Sequence, residues 1–433
     1  MSRGQRLEQF FETGIGPIQI GNKVMAQIDK ILQFMVEQKG SDLHVSVGTP
    51  PHVRVDGELI RMKMDELDSD QVWALIQEVM PDTNKNEFNE LWDSDFAYEI
   101  SGLARFRANV FMDRNGPGFV MRTIPDDIMT CDDIGLSNEV RQLCMLPKGM
   151  VIITGPTGSG KSTTLAAMIN ECNEKRKDHI ITIEDPIEFT HVNKDCLINQ
   201  REVHRHTKSF TAALRSCLRE DPDIVLIGEM RDLETVSIGL ETAETGHLVF
   251  ATLHTNTAAT TIDRIIDQFP ADQQEQIRVM LSTNLRAVIA QTLLKKKGGG
   301  RVAALEIMIV TSAIANLIRE AKTFQIPSQI ETGKKHGMMP MNDALATYVH
   351  QGIVDPQEAY RKAIDKIGYS AKANPVLIEQ VKTGQLRPID AIVATSNKNE
   401  LLDGLVAAGM QRQQADELRL LADQQIDMEF IVE

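Results

Sequence analysis

The segment 155–162 reads G-P-T-G-S-G-K-S, and it limits the fold of this chain more than any other part of the sequence. The apolar run 150–154 before it predicts a buried strand, and the segment 161–169 behind it predicts a helix. Glycines in such a turn let backbone N–H groups converge on phosphates without Cβ clashes, and the helix N-terminus favours the same anion. The pattern therefore predicts that this strand, loop and helix bind a nucleoside triphosphate.

Two side chains of the loop have predicted roles of their own. Lys161 is expected to reach the β- and γ-phosphates, and the Ser162 hydroxyl is expected to ligate Mg²⁺. A glycine-rich turn that matches by coincidence is the alternative, and the strand and helix on either side argue against it. The residues predicted to bind ATP in this segment are Gly155, Pro156, Thr157, Gly158, Ser159, Gly160, Lys161, Ser162 and Thr163.

Length, charge and cysteine spacing narrow the class of protein. A chain of 433 residues exceeds a single core, so two or three domains are expected. The net charge of −15 and the aromatic content of 5% argue against nucleic acid as the main partner. No two of the five cysteines lie within four residues of each other, which excludes a C-x-x-C metal pair and fits a reducing cytoplasm. Without a signal peptide, and with polar residues interrupting the apolar run 302–318, the protein is expected to be soluble.

The spacing of apolar residues divides the chain into five segments. They are a loose arm at 1–22, a small α+β domain at 23–125, a linker at 126–133, a domain at 134–370 that contains the phosphate loop and ends in helices, and a helical extension at 371–433. In the first domain the expected elements are a helix from about Val24 to Gly40, strands at 42–46, 52–56 and 104–111, and a helix at about 71–80.

Strands and helices alternate in the segment 134–370, which predicts an α/β fold with a mostly parallel sheet covered by helices. The expected strands are 150–154, 179–184, 223–228, 247–253, 286–294 and 301–310. After about residue 322 the pattern is helical to the end, with expected breaks at Pro340, Pro356, Pro375 and Pro388.

Two acidic segments follow strands of this sheet, at the edge where nucleotides bind. The first runs from Glu184 to Glu188, and an acid there can hold the attacking water or accept its proton; a solvated acidic turn is the alternative. The second ends the apolar strand 223–228 at Glu229, which is placed to bind Mg²⁺ directly or through water. Strands of this kind usually end in Asp, and because Gly228 stands there instead, Glu229 alone supplies the carboxylate.

The segment 247–255 carries a histidine at each end of one predicted strand. About 23 Å of strand separates His247 from His254, which is too far for one shared ligand. His254 lies on the carboxyl side and is therefore the better candidate for sensing the γ-phosphate, although a lone histidine is more often structural.

Together these segments resemble the secretion-ATPase superfamily, and within it the type IV pilus retraction ATPases. T-I-E-D-P-I-E-F (182–189) is similar to that family's Asp box, I-G-E-M-R-D (227–232) to its Walker B motif and G-H-L-V-F-A-T-L-H-T (246–255) to its His box. N-Q-R-E-V-H-R (199–205) and S-D-L-H-V-S (41–46) match further signatures, so the resemblance covers roughly residues 25–365.

The resemblance implies a homo-hexameric ring in which each subunit has a PAS-like N-terminal domain and a RecA-like ATPase domain, with ATP between them. It implies that Glu188 polarises the attacking water, that Arg264 lies near the phosphates, and that His247 and His254 belong to one catalytic segment.

Three further arginines match the family's arginine-bearing strands, which contact the nucleotide of a neighbouring subunit. They are Arg105, Arg107 and Arg122. A guanidinium in that place would neutralise charge in the phosphoryl-transfer transition state, whereas solvated surface arginines are the alternative.

Two features depart from the family pattern. The segment 313–320 resembles the retraction signature A-I-R-N-L-I-R-E, but Ala315 stands in place of its first arginine while Arg319 remains, so coupling to a partner through that charge is an open question. The family normally ends near residue 370, and the extension 371–433 resembles no known segment. Packing on the protein's own ring is the favoured interpretation of the extension, over a dedicated partner site.

The sequence thus predicts a cytoplasmic, Mg²⁺-dependent ATPase that retracts a type IV pilus, with the inner-membrane platform protein as its partner and only peripheral contact with the membrane. A pilus-assembly or type II secretion ATPase is the nearest alternative, but many of those carry a four-cysteine zinc motif that this chain lacks. The accessory retraction ATPase, a non-hydrolysing ATP-binding ring and a nucleic-acid translocase are further alternatives.

Overall fold

The computed structural model describes residues 26–55, 58–124 and 128–429. The predicted arm 1–22 lies outside these residues, and so do the first two residues of the predicted linker. The chain divides into two compact units, Met1–Asp127 and Ile128–Glu433.

Within residues 26–55 and 58–124, the first unit contains three helices and six strands. The helices are α1 (Gln27–Glu37), α2 (Ser69–Val79) and α3 (Asp82–Leu91). The strands are β1 (Asp42–Ser46), β2 (His52–Val55), β3 (Glu58–Arg61), β4 (Asp93–Ile100), β5 (Ala104–Asp113) and β6 (Gly116–Ile124). They form one antiparallel sheet in the order β3-β2-β1-β6-β5-β4, which includes three strands that the sequence pattern did not predict: β3, β4 and β6.

Helix α1 buries the predicted apolar face but ends differently from the prediction. Ile28 and Leu32 lie one turn apart on that face, and both are fully buried. Lys39, and not Gly40, takes the left-handed conformation that follows the helix, with φ of 56°. Gly40 is required for a different reason, because a Cβ atom there would lie 2.5 Å from Val53 Cγ1.

Within residues 128–429, the second unit contains one seven-stranded sheet. Its strands are β7 (Gly149–Thr154), β8 (His179–Glu184), β9 (Leu197–Glu202), β10 (Ile224–Ile227), β11 (Leu248–Leu253), β12 (Leu285–Lys295) and β13 (Arg301–Ile309). Their order is β13-β12-β7-β11-β10-β8-β9, and all neighbours are parallel except β12 and β13. The predicted α/β class with a mostly parallel sheet is therefore confirmed, and the carboxyl ends of the parallel strands meet at one edge.

Helices cover this sheet and connect its strands. They are α4 (Asn138–Leu143), α5 (Lys161–Lys175), α6 (Phe210–Cys217), α7 (Leu233–Glu244), α8 (Ala258–Asp267) and α9 (Gln274–Asn284). Every residue of β7 and β11 is buried, because helices pack on both faces of these central strands. The five cysteines are buried as free thiols. Among the described residues, no helix is both long enough and apolar enough to cross a membrane.

From residue 312 onward the described chain is helical, as predicted. The helices are α10 (Ser312–Arg319), α11 (Ile326–Thr332), α12 (Met341–His350), α13 (Pro356–Lys362), α14 (Lys366–Lys382), α15 (Pro388–Ile392), α16 (Lys398–Ala407) and α17 (Arg412–Glu429), with single 3₁₀ turns at Thr323–Gln325 and Lys334–His336. Pro356 and Pro388 begin helices, but the break predicted at Pro375 is wrong, because this proline lies inside α14. Ala373 and Leu377 on either side of it are fully buried, so tertiary packing outweighs the local cost of the proline.

The described part of the extension packs on the helices that precede it. Leu377 and Leu401 of the extension share one core with Leu345 of α12 and with Tyr369, and all four are fully buried. Lys372 adds a charged contact to this packing, since its ammonium pairs with the Asp343 carboxylate of α12.

Candidate active site

The phosphate loop joins β7 to α5 in a conformation that its glycines make possible. Gly155, Gly158 and Gly160 have φ of 146°, 76° and 88°, a region that side chains with a Cβ atom rarely adopt. At Gly155 a Cβ atom would also lie 2.3 Å from the Gln291 carbonyl oxygen of β12. The loop therefore needs glycine for its backbone turn and for its close approach to the neighbouring strand.

Gln291 of β12 fixes the phosphate loop through its side-chain amide, and this residue was not predicted from the sequence. Its Nε2 donates to the Ser159 carbonyl oxygen at 2.7 Å, and its Oε1 accepts from the Thr164 hydroxyl at 2.8 Å. Both bonds are buried and join residues more than a hundred positions apart, so no local pattern could reveal them. The amide fixes the loop against the first turn of α5.

Lys161 lies at the centre of the site. Its ammonium donates to the carbonyl oxygens of Gly155 at 2.8 Å and Pro156 at 3.2 Å, and it lies 3.4 Å from His254 Nδ1. Burial lowers the pKa of Lys161, while the nearby carboxylates of Glu229 and Glu188 oppose that shift. The structure thus brings together four of the predicted catalytic residues from the ends of different strands: Lys161, Glu188, Glu229 and His254.

Glu229 follows β10 and is held between two cationic or polar side chains. His254 Nε2 lies 3.1 Å from Glu229 Oε1, and Arg231 Nη2 lies 2.8 Å from Glu229 Oε2. Burial alone would raise the pKa of Glu229, but Arg231 and His254 outweigh it and hold that pKa below its usual value. The His254 ring therefore lies between the two residues, with Nδ1 facing the Lys161 ammonium and Nε2 facing the Glu229 carboxylate. Arg231 was not predicted, although it stands only two positions after Glu229.

Gly228 stands in place of the usual aspartate at a point where the neighbouring strand leaves little room for a side chain. A Cβ atom there would lie 3.1 Å from the Ile183 carbonyl oxygen and 3.2 Å from the Glu184 Cα atom. The Gly228 carbonyl oxygen accepts a hydrogen bond from the Thr252 hydroxyl, which joins β10 to β11. The carboxylate at this strand end therefore comes from Glu229, as the sequence indicated.

The acidic turn after β8 contains two glutamates in different environments. Glu188 is exposed, whereas Glu184 is largely enclosed and accepts hydrogen bonds from the Thr182 hydroxyl at 2.6 Å and from Gln200 Nε2 at 3.2 Å. Burial raises the pKa of Glu184 to about 7 in spite of these bonds and of a further bond from the Glu188 backbone N–H. Glu188 is thus free to face a ligand, and Glu184 holds the turn.

Threonine hydroxyls fix the loop that carries His254. The Thr154 hydroxyl at the end of β7 accepts from the Thr255 backbone N–H at 2.9 Å, and the Thr255 hydroxyl lies 2.6 Å from that of Thr261 on α8. The Thr261 hydroxyl in turn donates to the Thr257 carbonyl oxygen at 2.7 Å. The histidine loop is therefore tied to the phosphate-loop strand and to α8.

Two predicted site residues are not brought to this edge within the subunit. His247 precedes β11 at the opposite end, where its Nδ1 lies 2.9 Å from the Thr242 carbonyl oxygen. The six residues of β11 span about 20 Å, in line with the separation of the two histidines expected from the sequence, and a catalytic role for His247 stays a prediction. Arg264 lies exposed in the last turn of α8, about 10 Å along the helix from its start at Thr257.

The three other predicted arginines lie on strands β5 and β6 of the first unit. Arg122 Nε donates to Asp42 Oδ1 at 2.7 Å; the Asp42 side chain is 5% exposed, whereas that of Arg122 is 70% exposed. Arg107 lies opposite Arg122 in the sheet and is 3.5 Å from Asp95. Arg105 lies on the same strand, opposite Glu99. The guanidinium of Arg122 is thus fixed by a buried carboxylate.

The site is suited to a nucleotide and to Mg²⁺. Ser159 Oγ is buried in the phosphate loop and has no hydrogen-bond partner among the described residues, so it is a spare donor where phosphate oxygens are expected. Ser162 and Glu229 offer a hydroxyl and a carboxylate oxygen, the ligand types that Mg²⁺ prefers. No cluster of three or more His, Cys, Asp or Glu side chains that could hold a metal occurs in the described part of the chain.

Known proteins share this sequence and fold. Residues 21–299 match the family described as type II/IV secretion system protein. The type IV pilus retraction ATPase PilT of Pseudomonas aeruginosa is 52% identical over 336 residues, which are 78% of this chain and 98% of that protein. The twitching motility protein of Neisseria gonorrhoeae is 50% identical over 314 residues, 72% of this chain and 84% of that protein. A solved structure of the pilus retraction motor PilT with bound ADP has a TM-score of 0.74 and 45% identity, and covers 79% of this chain and 98% of that one.

Proposed function

The chain belongs to the type II/IV secretion system protein family, and on that premise we propose that it is an ATPase motor that powers type IV pilus retraction. The observation that carries the proposal is the similarity to the Pseudomonas retraction ATPase over nearly the whole length of that protein. The solved retraction motor contains ADP, and this chain has the same fold with a complete phosphate loop at residues 155–163.

Hydrolysis requires a water molecule held against the γ-phosphate and stabilisation of the charge on the phosphoryl group. Lys161 provides a positive charge at the phosphate loop, with the other loop residues binding the phosphates through their backbone N–H groups. Glu188 is proposed to polarise the water, because it is exposed and its carboxylate is close enough to Lys161 to raise the pKa of that ammonium. His254 links Lys161 to Glu229 and is proposed to sense the γ-phosphate through that link.

Ser162 and Glu229 are proposed to hold Mg²⁺ at this site. Held there together with ATP, the ion would neutralise part of the negative charge of the phosphates. Arg231 and His254 keep the Glu229 carboxylate ionised and in place at the end of β10.

We propose that six copies form a ring in which a first-unit arginine completes the neighbour's site. Arg122 is the favoured candidate, because its Nε binds Asp42 and its side chain is exposed. The remaining N–H groups of the guanidinium can then bind a second anion. Arg105, Arg107 and Arg264 are further candidates for nucleotide contact in the assembled ring. A guanidinium supplied in this way stabilises transition-state charge only when two subunits meet.

The proposed partner is the inner-membrane platform of the pilus machinery, which the ring would meet from the cytoplasm by peripheral docking. A nucleic-acid partner is not proposed, because the chain is acidic and poor in aromatic residues.

Steady-state phosphate release by the purified chain tests the enzymatic part of the proposal. We expect Mg²⁺-dependent turnover that DNA does not stimulate. Tight ATP binding without turnover would favour a non-hydrolysing ring, and stimulation by DNA would favour a translocase. The matched control is the Lys161→Ala variant, which keeps the fold and should release phosphate at the background rate.

A further inference from the structure

Strand β9 carries a sequence signature that the site as described does not use. It pairs in parallel with β8 at the edge of the sheet, so that Gln200 lies opposite Thr182 and Glu202 opposite Glu184. The strand is more polar than its neighbours, and the contacts of its polar side chains account for this.

Gln200 makes three hydrogen bonds to the turn that contains Glu188. Its Nε2 donates to the Phe189 carbonyl oxygen at 2.8 Å and to Glu184 Oε1 at 3.2 Å, and its Oε1 accepts from the His191 backbone N–H at 2.8 Å. One half-buried amide therefore binds the turn directly after Glu188 and also the carboxylate that lies before it.

Contacts before Glu188 fix the other side of the turn. The Ile187 backbone N–H donates to Glu202 Oε2 at 3.2 Å, and Glu202 is only 3% exposed. The backbone N–H of Glu188 itself donates to the Glu184 carboxylate. The chain is thus held at 187, 188, 189 and 191, while the side chain of Glu188 is exposed, as are those of Asp185 and Thr190.

We propose that Gln200 is a positioning residue for hydrolysis, which acts by holding the backbone around Glu188 so that its carboxylate meets the attacking water. The inference rests on the proposed role of Glu188. Its physical basis is that displacing a reacting group by about 1 Å can lower a rate by about 10²-fold without altering ground-state binding. Gln200 touches neither phosphate loop residues nor Lys161 in these contacts, so nucleotide affinity should not depend on it.

The first measurement is the steady-state kinetics of Gln200→Leu, with ADP affinity measured separately by titration. We expect kcat to fall by about 10- to 100-fold, with the KM for ATP and the Kd for ADP within about twofold of the parent. Asn199→Leu is the matched control on the same strand, because its side chain bonds His179 at 2.9 Å and not the turn. Gln200→Glu is a second variant that keeps the shape and the bond from His191 but loses both donated bonds, and it should lower kcat in the same way.

A double-mutant cycle with Glu188→Gln separates positioning from a general structural role. If Gln200 acts through Glu188, then Gln200→Leu lowers the residual rate of the Glu188→Gln enzyme by less than about twofold. Equal losses in both backgrounds, or unchanged kcat in both Gln200 variants, would overturn the inference. If Glu188→Gln turns over at the parental rate, the proposed role of Glu188 is wrong and the role of Gln200 falls with it. If Glu188→Gln is slow but both Gln200 variants are fully active, only the role of Gln200 is wrong.

Discussion

At the scale of single residues, the ammonium of Lys161 is the point where the phosphate loop meets the acidic strand ends. Its bonds to the Gly155 and Pro156 carbonyl oxygens leave it inside the loop, and His254 connects it to Glu229. The two glutamates of the acidic turn lie in different environments: Glu188 is exposed to a ligand, whereas burial raises the pKa of Glu184.

The Glu188→Gln variant should bind nucleotide normally but turn over slowly, because the amide cannot accept a proton from water. Loss of a general base typically lowers a rate by about 10² to 10⁴. Single-turnover hydrolysis and ADP titration measure the two properties separately. Normal turnover by Glu188→Gln beside an inactive Glu184→Gln would move the base role to Glu184.

Glu184 should make the stability of the protein depend on pH. Its pKa is about 7 in the folded chain against an ordinary value of 4.5, so between these pH values the folded state keeps a proton that the unfolded state has released. The contribution of Glu184 to stability is therefore greatest at the acidic end of that window and is lost as the pH rises towards 7. The difference in unfolding free energy between the parent and Glu184→Gln, measured by urea titration from pH 4.5 to 7.5, should fall with rising pH. A difference that stays constant would contradict this environment for Glu184.

At the scale of elements, the fully buried strands of the second unit were the easiest to predict from the sequence. β7 and β11 are fully buried and appear as continuous apolar runs, and both were predicted closely. β4 and β9 were missed because they are edge strands with many polar side chains. The polar residues of β9 serve the turn after β8, and such contacts have no periodic signal in the sequence.

The same reasoning explains which site residues could be predicted. Lys161, Glu188, Glu229 and His254 follow the carboxyl ends of parallel strands, so topology alone brings them to one edge. Gln291 could not be found because both of its bonds join distant segments. One expectation failed for a local reason: Pro375 does not break the chain but lies within α14, whose inner face is buried.

The extension should behave as part of the second unit's core. Leu377→Ala removes a fully buried side chain between α14 and the preceding helices, and it should lower the free energy of unfolding by about 2–5 kcal/mol. Urea unfolding of the full chain measures this loss. Leu420→Ala is the control, because that side chain on α17 is 66% exposed and its loss should change stability by less than about 0.5 kcal/mol. Equal effects of the two substitutions would show that the extension does not pack as described.

At the scale of the whole molecule, the proposed ring requires that each active site contain residues of two neighbouring subunits. Mixing Lys161→Ala subunits with Arg122→Ala subunits should restore part of the turnover, because one type of interface then contains both an intact loop and an intact arginine. Phosphate release by rings with verified subunit exchange measures this complementation, and the same mixing with Arg107→Ala and Arg105→Ala identifies which arginine crosses the interface. If the mixed rings release phosphate only at the summed rate of the two separate variants, the arginine that was tested does not act on the neighbouring subunit.

The central claim, that ATP hydrolysis by this chain retracts a pilus, is tested most directly in the living cell. The gene is replaced by the Lys161→Ala variant, and the extension and retraction of single labelled pili are followed by fluorescence microscopy. If the chain powers retraction and not assembly, cells should still display surface pili but no longer retract them. Cells without surface pili, or with retraction at the parental frequency and speed, would contradict it.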